Sequence, residues 1–311
     1  MPKENRQPFL YILAGPTGVG KTRIAVRLAR RWKAEIVSAD SMQVYRQLSI
    51  GTAKPTKKEC RGIPYHLIDC ADIDEPYDLA RFIRDADESI RQITKRGRRI
   101  LVVGGTGLYI KGLLEGIFAD ATKNQKIRKI LSDRVEKEGL SSLYQQLSSV
   151  DPDAAARIRP RDRQRIVRAL EVWLTTGVPI SALQEKSRRT QPRYPHVLLV
   201  LTRKREELYQ SIENRVNQMF QIGLLEEVQN ILDAGFPQDL HPLKALGYRE
   251  VIRALEGEWS LEKAQEEMKK ATRRYAKRQI TWFKAMPQAV WIDLSRLPED
   301  RILPEIERIF Q

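Results

Sequence analysis

Gly15-Pro16-Thr17-Gly18-Val19-Gly20-Lys21-Thr22 is the stretch that decides the fold. It fits the pattern G-x-x-x-x-G-K-[S/T], a loop between a strand and a helix that wraps backbone N–H groups around phosphate oxygens. The apolar run Phe9–Ala14 in front of it reads as the strand, and Lys21–Lys33 behind it has helical spacing. The helix N-terminus adds the positive end of a dipole, Lys21 adds a point charge, and the Thr22 hydroxyl can ligate Mg²⁺. An accidental glycine-rich turn would have no reason to sit between such a strand and such a helix. The expectation is a phosphate site over Gly15–Thr22, with the owner of the phosphates left open.

Working outward, short Ile-, Val- and Leu-rich runs recur at Glu35–Ala39, His66–Ile68, Arg99–Val103, Val197–Leu201 and Ala289–Ile292. Each suits a strand covered on both faces. Helical patterns fall between and after them at Leu79–Lys95, Arg205–Ala234 and Leu261 to about Phe283. The alternation predicts a parallel α/β sheet. From about Ala121 to Arg193 no strand-like run occurs, while helical spacing continues through Ile127–Glu138, Leu140–Leu147, Asp153–Ile158 and Asp162–Thr175. The predicted organisation is an α/β core over 1–120, an α-helical insertion over 121–194, and the core resumed over 195–311 with C-terminal helices.

Two further turns follow predicted strands, and in an open α/β sheet ligands sit beyond the carboxyl ends of the strands. Asp40-Ser41-Met42-Gln43 follows the second strand, and Asp40 there either faces the phosphate loop, to hold Mg²⁺ through water or take a proton from a nucleophile, or caps the next segment. Gly104-Gly105-Thr106-Gly107 follows the fourth, where small residues let backbone approach a ligand and Thr106 offers a hydroxyl. Taken alone, that turn suits a plain strand-to-helix connection equally well. Arg161, Arg165 and Arg168 recur at helical spacing on one face, apart from an apolar stripe of Ile166, Ala169, Leu170 and Trp173. Such a face suits an RNA backbone. Lys269, Lys270, Arg273, Arg274, Lys277 and Arg278 form a second basic run, which reads as readily as a solvated face. Arg215 stands alone in a helix, where a surface ion pair is the ordinary reading.

Composition bounds the classes. The 55 Lys+Arg against 40 Asp+Glu give a formal charge of +15, which suits either a polyanionic partner or a basic enzyme surface. Two cysteines and three histidines, with no CxxC pair, argue against structural zinc and a disulfide framework. The polar N-terminus does not read as a signal peptide, and no apolar run approaches the roughly 20 residues that span a bilayer. A soluble cytoplasmic protein without membrane attachment is expected.

Taken in order, GPTGVGKT, DSMQVYR, IGTAKP, YHLID, GGTGLY, DRQRIVRALE, NRVNQMFQIGLLEEV and LGYRE resemble the tRNA dimethylallyltransferase (tRNA isopentenyltransferase) family over nearly the whole chain. The chain departs from the family's common pattern at Tyr65, where many members have His, and at Gly18-Val19, where Ala-Ser is common. The resemblance implies a P-loop kinase-like core whose helical insertion clamps the tRNA anticodon stem-loop. It implies transfer of a dimethylallyl group from dimethylallyl diphosphate to N6 of the adenosine immediately 3′ of the anticodon (tRNA position 37). Asp40 would be the general base. Gly15, Pro16, Thr17, Gly18, Val19, Gly20, Lys21 and Thr22 would hold the diphosphate together with Arg215, and Thr22 would ligate Mg²⁺. Asp40, Ser41, Met42 and Gln43 would contact the target base, and Thr106, Arg128, Gln164, Arg165, Ile166, Val167 and Arg168 the tRNA. A monomer is expected. The alternatives are a P-loop kinase acting on a small molecule or nucleoside monophosphate, which predicts ATP turnover, and a nucleotide-switched RNA-binding protein, which predicts tight nucleotide binding.

Overall fold

The computed structural model describes residues 7–117, 124–187 and 191–311. Six strands form one parallel sheet: β1 (Leu10–Ala14), β2 (Ala34–Ala39), β3 (Tyr65–His66), β4 (Arg99–Gly104), β5 (His196–Thr202) and β6 (Ala289–Asp293), in the order β3-β2-β4-β1-β5-β6. Successive strand side chains point to opposite faces, so the strands divide between two cores. Leu10, Ile12, Val37, Val102, Leu198 and Val200 belong to one, and Leu13, Ile36, Leu101, Val103, Leu199 and Leu201 to the other.

Helices cover both faces. In chain order they are α1 (Lys21–Trp32), the single turn α2 (Lys57–Cys60), α3 (Leu79–Lys95) and α4 (Gly107–Glu115). Then come α5 (Gln125–Glu138), α6 (Leu140–Val150), α7 (Pro152–Arg157), α8 (Arg163–Thr176) and α9 (Ile180–Ser187). The last are α10 (Arg205–Gln221), α11 (Leu224–Asp233), α12 (Tyr248–Leu255), α13 (Leu261–Lys284) and α14 (Glu299–Phe310). Ile24, Leu28, Ile302 and Ile306 of α1 and α14 pack in one core. Phe82, Ile83, Ile110, Leu113 and Phe283 of α3, α4 and α13 pack in the other.

Two differences from the sequence reading have local causes. The helix expected over Arg205–Ala234 is two, α10 and α11, because Gly223 takes a left-handed backbone (φ 105°) and interrupts the turns. The third strand is shorter than His66–Ile68 because Leu67 (φ 63°) also turns left-handed. Helices α2, α4, α9, α12 and α14 were not anticipated.

The chain divides into two compact units, Met1–Leu114 with Arg193–Gln311, and Glu115–Pro192. The breaks fall before the expected 121 and 194. The return point is Arg193, whose N–H donates to the Leu114 carbonyl at 2.7 Å and whose guanidinium pairs with Asp87. Those bonds draw Arg193 into the α/β unit. The helical unit has its own core of Leu131, Leu143, Leu147, Ile166, Leu170 and Val172. No single helix among the described residues is long and apolar enough to cross a membrane.

Candidate active site

Strand register fixes where the three predicted turns meet. Gly104 at the end of β4 pairs with Ala14 of β1 on one side and Ala39 of β2 on the other. The residues that follow, Gly15, Asp40 and Gly105, therefore leave the sheet at one level on three adjacent strands. They open into a cleft of about 1700 Å³ that lies wholly in the α/β unit. Thr17, Gly18, Gly20, Lys21, Thr22, Asp40, Ser41, Met42, Gln43 and Arg215 line it. Gly15, Pro16 and Val19 are buried beneath it.

The phosphate loop is held from several directions. Lys21 Nζ donates to the Gly15 and Pro16 carbonyls, each at 2.8 Å. Arg215 donates to Thr17 Oγ1 at 3.1 Å, so the arginine that reads from sequence as an ordinary surface residue is a cleft residue instead. Ser211 Oγ donates to the Gly18 carbonyl at 2.7 Å, and Arg203 Nε to that of Val19 at 3.3 Å. Burial, with the like charge of Arg215 beside it, pushes the Lys21 ammonium from 10.5 down to about 7, against the pull of Asp40. Burial likewise holds Arg215 below its ordinary value, again opposed by Asp40. Two crowded cations at a helix N-terminus make a strong attractor for a polyanion.

Asp40 is a cap that also faces the cleft. Its Oδ1 accepts from the N–H groups of Met42 at 2.9 Å and Gln43 at 3.3 Å, which is a cap. It also lines the cleft, close enough to Lys21, Arg215 and Tyr275 to act on the charge of each. Thr106 Oγ1 accepts from the Ser41 N–H at 3.1 Å, which joins the second turn to the first. Gln43 Nε2 donates to the Thr52 and Ala53 carbonyls at 3.2 and 3.3 Å. The loop supplying them is anchored by Glu227, which accepts from the N–H groups of Ser49, Ile50 and Gly51 and from the Tyr248 hydroxyl.

Several cleft residues escaped the sequence reading. Tyr275 and Gln279 of α13 line the cleft within a helix that reads from sequence only as a basic run. The Tyr275 hydroxyl bonds to the Thr106 side chain, and burial with Asp40 nearby pushes it up to about 12. Three of the six basic residues of the α13 run form ion pairs, Lys269 with Glu266, Lys270 with Glu267 and Arg273 with Glu213. Arg203 directly follows β5 at the carboxyl edge of the sheet, a position that could have marked it.

The helical unit holds the other candidates, and several of them have partners within that unit. Ile166 and Val167 are buried, which puts their side chains in that unit's core rather than on a surface. Arg128 and Arg168 both reach Glu171, at 2.8 and 2.9 Å, and that carboxylate is 1% exposed. A buried carboxylate needs such partners, so these arginines hold the unit together. Glu171 also accepts from the Asn124 N–H at 3.0 Å. Gln164 and Arg165 remain exposed, with Arg165 loosely paired to Asp162 at 3.5 Å.

Comparison with known proteins places the chain in a family. A family model described as IPP transferase matches residues 43–286, and one described as isopentenyl transferase matches 8–76. The tRNA dimethylallyltransferase of Geobacter metallireducens is 46% identical over 291 residues, 94% of each chain. That of Syntrophobacter fumaroxidans is 48% identical over 91% of this chain and 83% of its own. The solved tRNA isopentenylpyrophosphate transferase of Bacillus halodurans is 38% identical with a TM-score of 0.73, covering 97% of this chain and 95% of that one. A eukaryotic dimethylallyltransferase acting on tRNA is 29% identical with a TM-score of 0.84, covering 97% and 78%. A family model matched across most of the chain, and relatives this similar along nearly all of it, lead to one conclusion: the chain belongs to the IPP transferase family.

Proposed function

We propose that the chain transfers a dimethylallyl group from dimethylallyl diphosphate to N6 of the adenosine 3′ to the anticodon in tRNA, position 37. The observation that carries this is one cleft that gathers the phosphate loop with Lys21, the Arg215 guanidinium bonded to that loop, and the Asp40 carboxylate. The exocyclic amine of adenine is a weak nucleophile because its lone pair is delocalised into the ring. As the bond from N6 to the allylic carbon forms, Asp40 takes the N6 proton, and its Oδ2 is the oxygen not committed to the cap. The carbon–oxygen bond to diphosphate breaks with the electron pair leaving on oxygen. Loop amides, Lys21 and Arg215 stabilise that growing charge. The base must leave its stack to reach the cleft, which favours a single-stranded loop as substrate.

The residues present suit Mg²⁺ bound chiefly through the substrate. No group of three or more Asp, Glu, His or Cys side chains that could hold a metal occurs among the described residues, and Thr22 opens α1 on the cleft. Mg²⁺ keeps several waters and takes one or two protein ligands beside phosphate oxygens, so Thr22 would hold it. When bound it would neutralise part of the diphosphate charge. Gln164 and Arg165 on the helical unit supply tRNA contacts, and the protein works as a cytoplasmic monomer.

The test is incubation with Mg²⁺, dimethylallyl diphosphate and unmodified tRNA that reads codons beginning with U, followed by nucleoside analysis. N6-dimethylallyladenosine is the expected product. ADP release from ATP without tRNA, and no prenylated nucleoside, would sink the reading in favour of a kinase.

A further inference from the structure

Gln279 lies on α13 and is 5% exposed. Its amide makes two long-range bonds. Oε1 accepts from the Thr17 N–H at 2.9 Å, and Nε2 donates to the Gly105 carbonyl at 2.9 Å. The two partners belong to opposite halves of the reaction. Thr17 sits in the loop for the donor's diphosphate, with its hydroxyl bonded to Arg215. Gly105 precedes Thr106, whose hydroxyl fixes the Ser41 N–H beside Asp40. Among the described residues no other side chain is seen to bond both turns. A Cβ on Gly105 would stand 2.2 Å from Gln279 Nε2, so the turn has no side chain where the amide approaches. Tyr275, one helical turn earlier, bonds to Thr106 and presents the same face of α13 to the acceptor half.

We propose that Gln279 is a positioning residue that sets the distance between the departing diphosphate and the attacking N6 amine, an inference that rests on the prenyl-transfer reading above. Each half binds its own substrate through its own groups. What one amide bridging both halves adds is their register. Reacting atoms must come within about 3–3.5 Å, and a misplacement near 1 Å costs on the order of 10²-fold in rate. The role predicts damage to kcat with binding spared.

Two variants test it against wild type. Gln279→Ala should lower kcat by about 10–100-fold while KM for dimethylallyl diphosphate and for tRNA each stay within about threefold. Gln279→Glu is the sharper probe. A protonated carboxyl accepts and donates as the amide does, whereas the ionised form only accepts, and it sets a negative charge against the Gly105 carbonyl and the phosphate loop. Burial raises a carboxyl pKa. The kcat of this variant should therefore approach that of wild type at low pH and fall through a new ionisation, absent from the wild-type profile, as pH rises. Native kcat in both variants would overturn the role. So would a rise in either KM with kcat intact, or a uniform loss tracking a lower melting temperature at every pH. Failure of wild type to prenylate tRNA would overturn the parent reading instead.

Discussion

A carboxylate that caps its own turn can still act as a base if the cap uses one oxygen, and Asp40 has that arrangement. Asp40→Asn keeps an Oδ1 acceptor for Met42 and Gln43, so the turn should survive. Its kcat should fall by roughly 10²–10⁴-fold, with calorimetric affinity for dimethylallyl diphosphate near native. Lys21 gives a second expectation. With its pKa at about 7, much of the ammonium is deprotonated at pH 8, and an arriving diphosphate favours the charged form again. Binding at pH 8 should take up close to one proton, seen as a buffer-dependent calorimetric enthalpy, and affinity should weaken as pH rises above about 7. Lys21→Met should abolish the proton uptake. In the free protein the sign runs the other way: the unfolded chain holds that proton up to about 10.5, so this group adds stability as pH climbs from about 7 towards that value. The phosphate loop was legible residue by residue because backbone geometry dictates its pattern. Gln279 was not, because its value lies in partners 262 and 174 positions away.

Helix α8 shows how one row of arginines splits by partner. Arg165 is 66% exposed, whereas Arg168 meets a buried carboxylate. Arg165→Ala should raise KM for tRNA and reduce the slope of log affinity against log salt by somewhat under one, with the melting temperature unchanged. Arg168→Ala should mainly destabilise, by about 1–2 kcal/mol, since Arg128 still pairs with Glu171. A thermal melt of each variant beside a salt titration separates the two. Spacing put both arginines on one face, but only tertiary contact shows that Glu171 lies under one of them. Helices of strong periodicity, such as α3, were readable to the residue. The break between α10 and α11 was hidden because Gly223 lies in otherwise continuous helical spacing, and the backbone turn it makes leaves no trace in the pattern.

Across the whole molecule, the alternation of strands and helices gave the parallel sheet, and the loss of strand signal marked the helical insertion. Its ends could not be placed to the residue, since Arg193 belongs to the α/β unit through bonds to Leu114 and Asp87 rather than through composition. Replacing Glu115–Pro192 by a short turn should leave a cooperatively melting α/β protein that binds dimethylallyl diphosphate with near-native affinity and tRNA far more weakly. Calorimetry with each ligand checks this, and loss of diphosphate binding in a folded product would contradict it. The hydrogen bond between Leu114 and Arg193 has a wider meaning. To the sheet, the entire helical unit is a detour that starts and finishes at a single doorway. The entropy of closing such a detour grows only with the logarithm of its length, about 0.6 kcal/mol for each doubling. The insertion can therefore lengthen or shrink over evolutionary time at little thermodynamic penalty, while the geometry of the cleft stays where the strands set it.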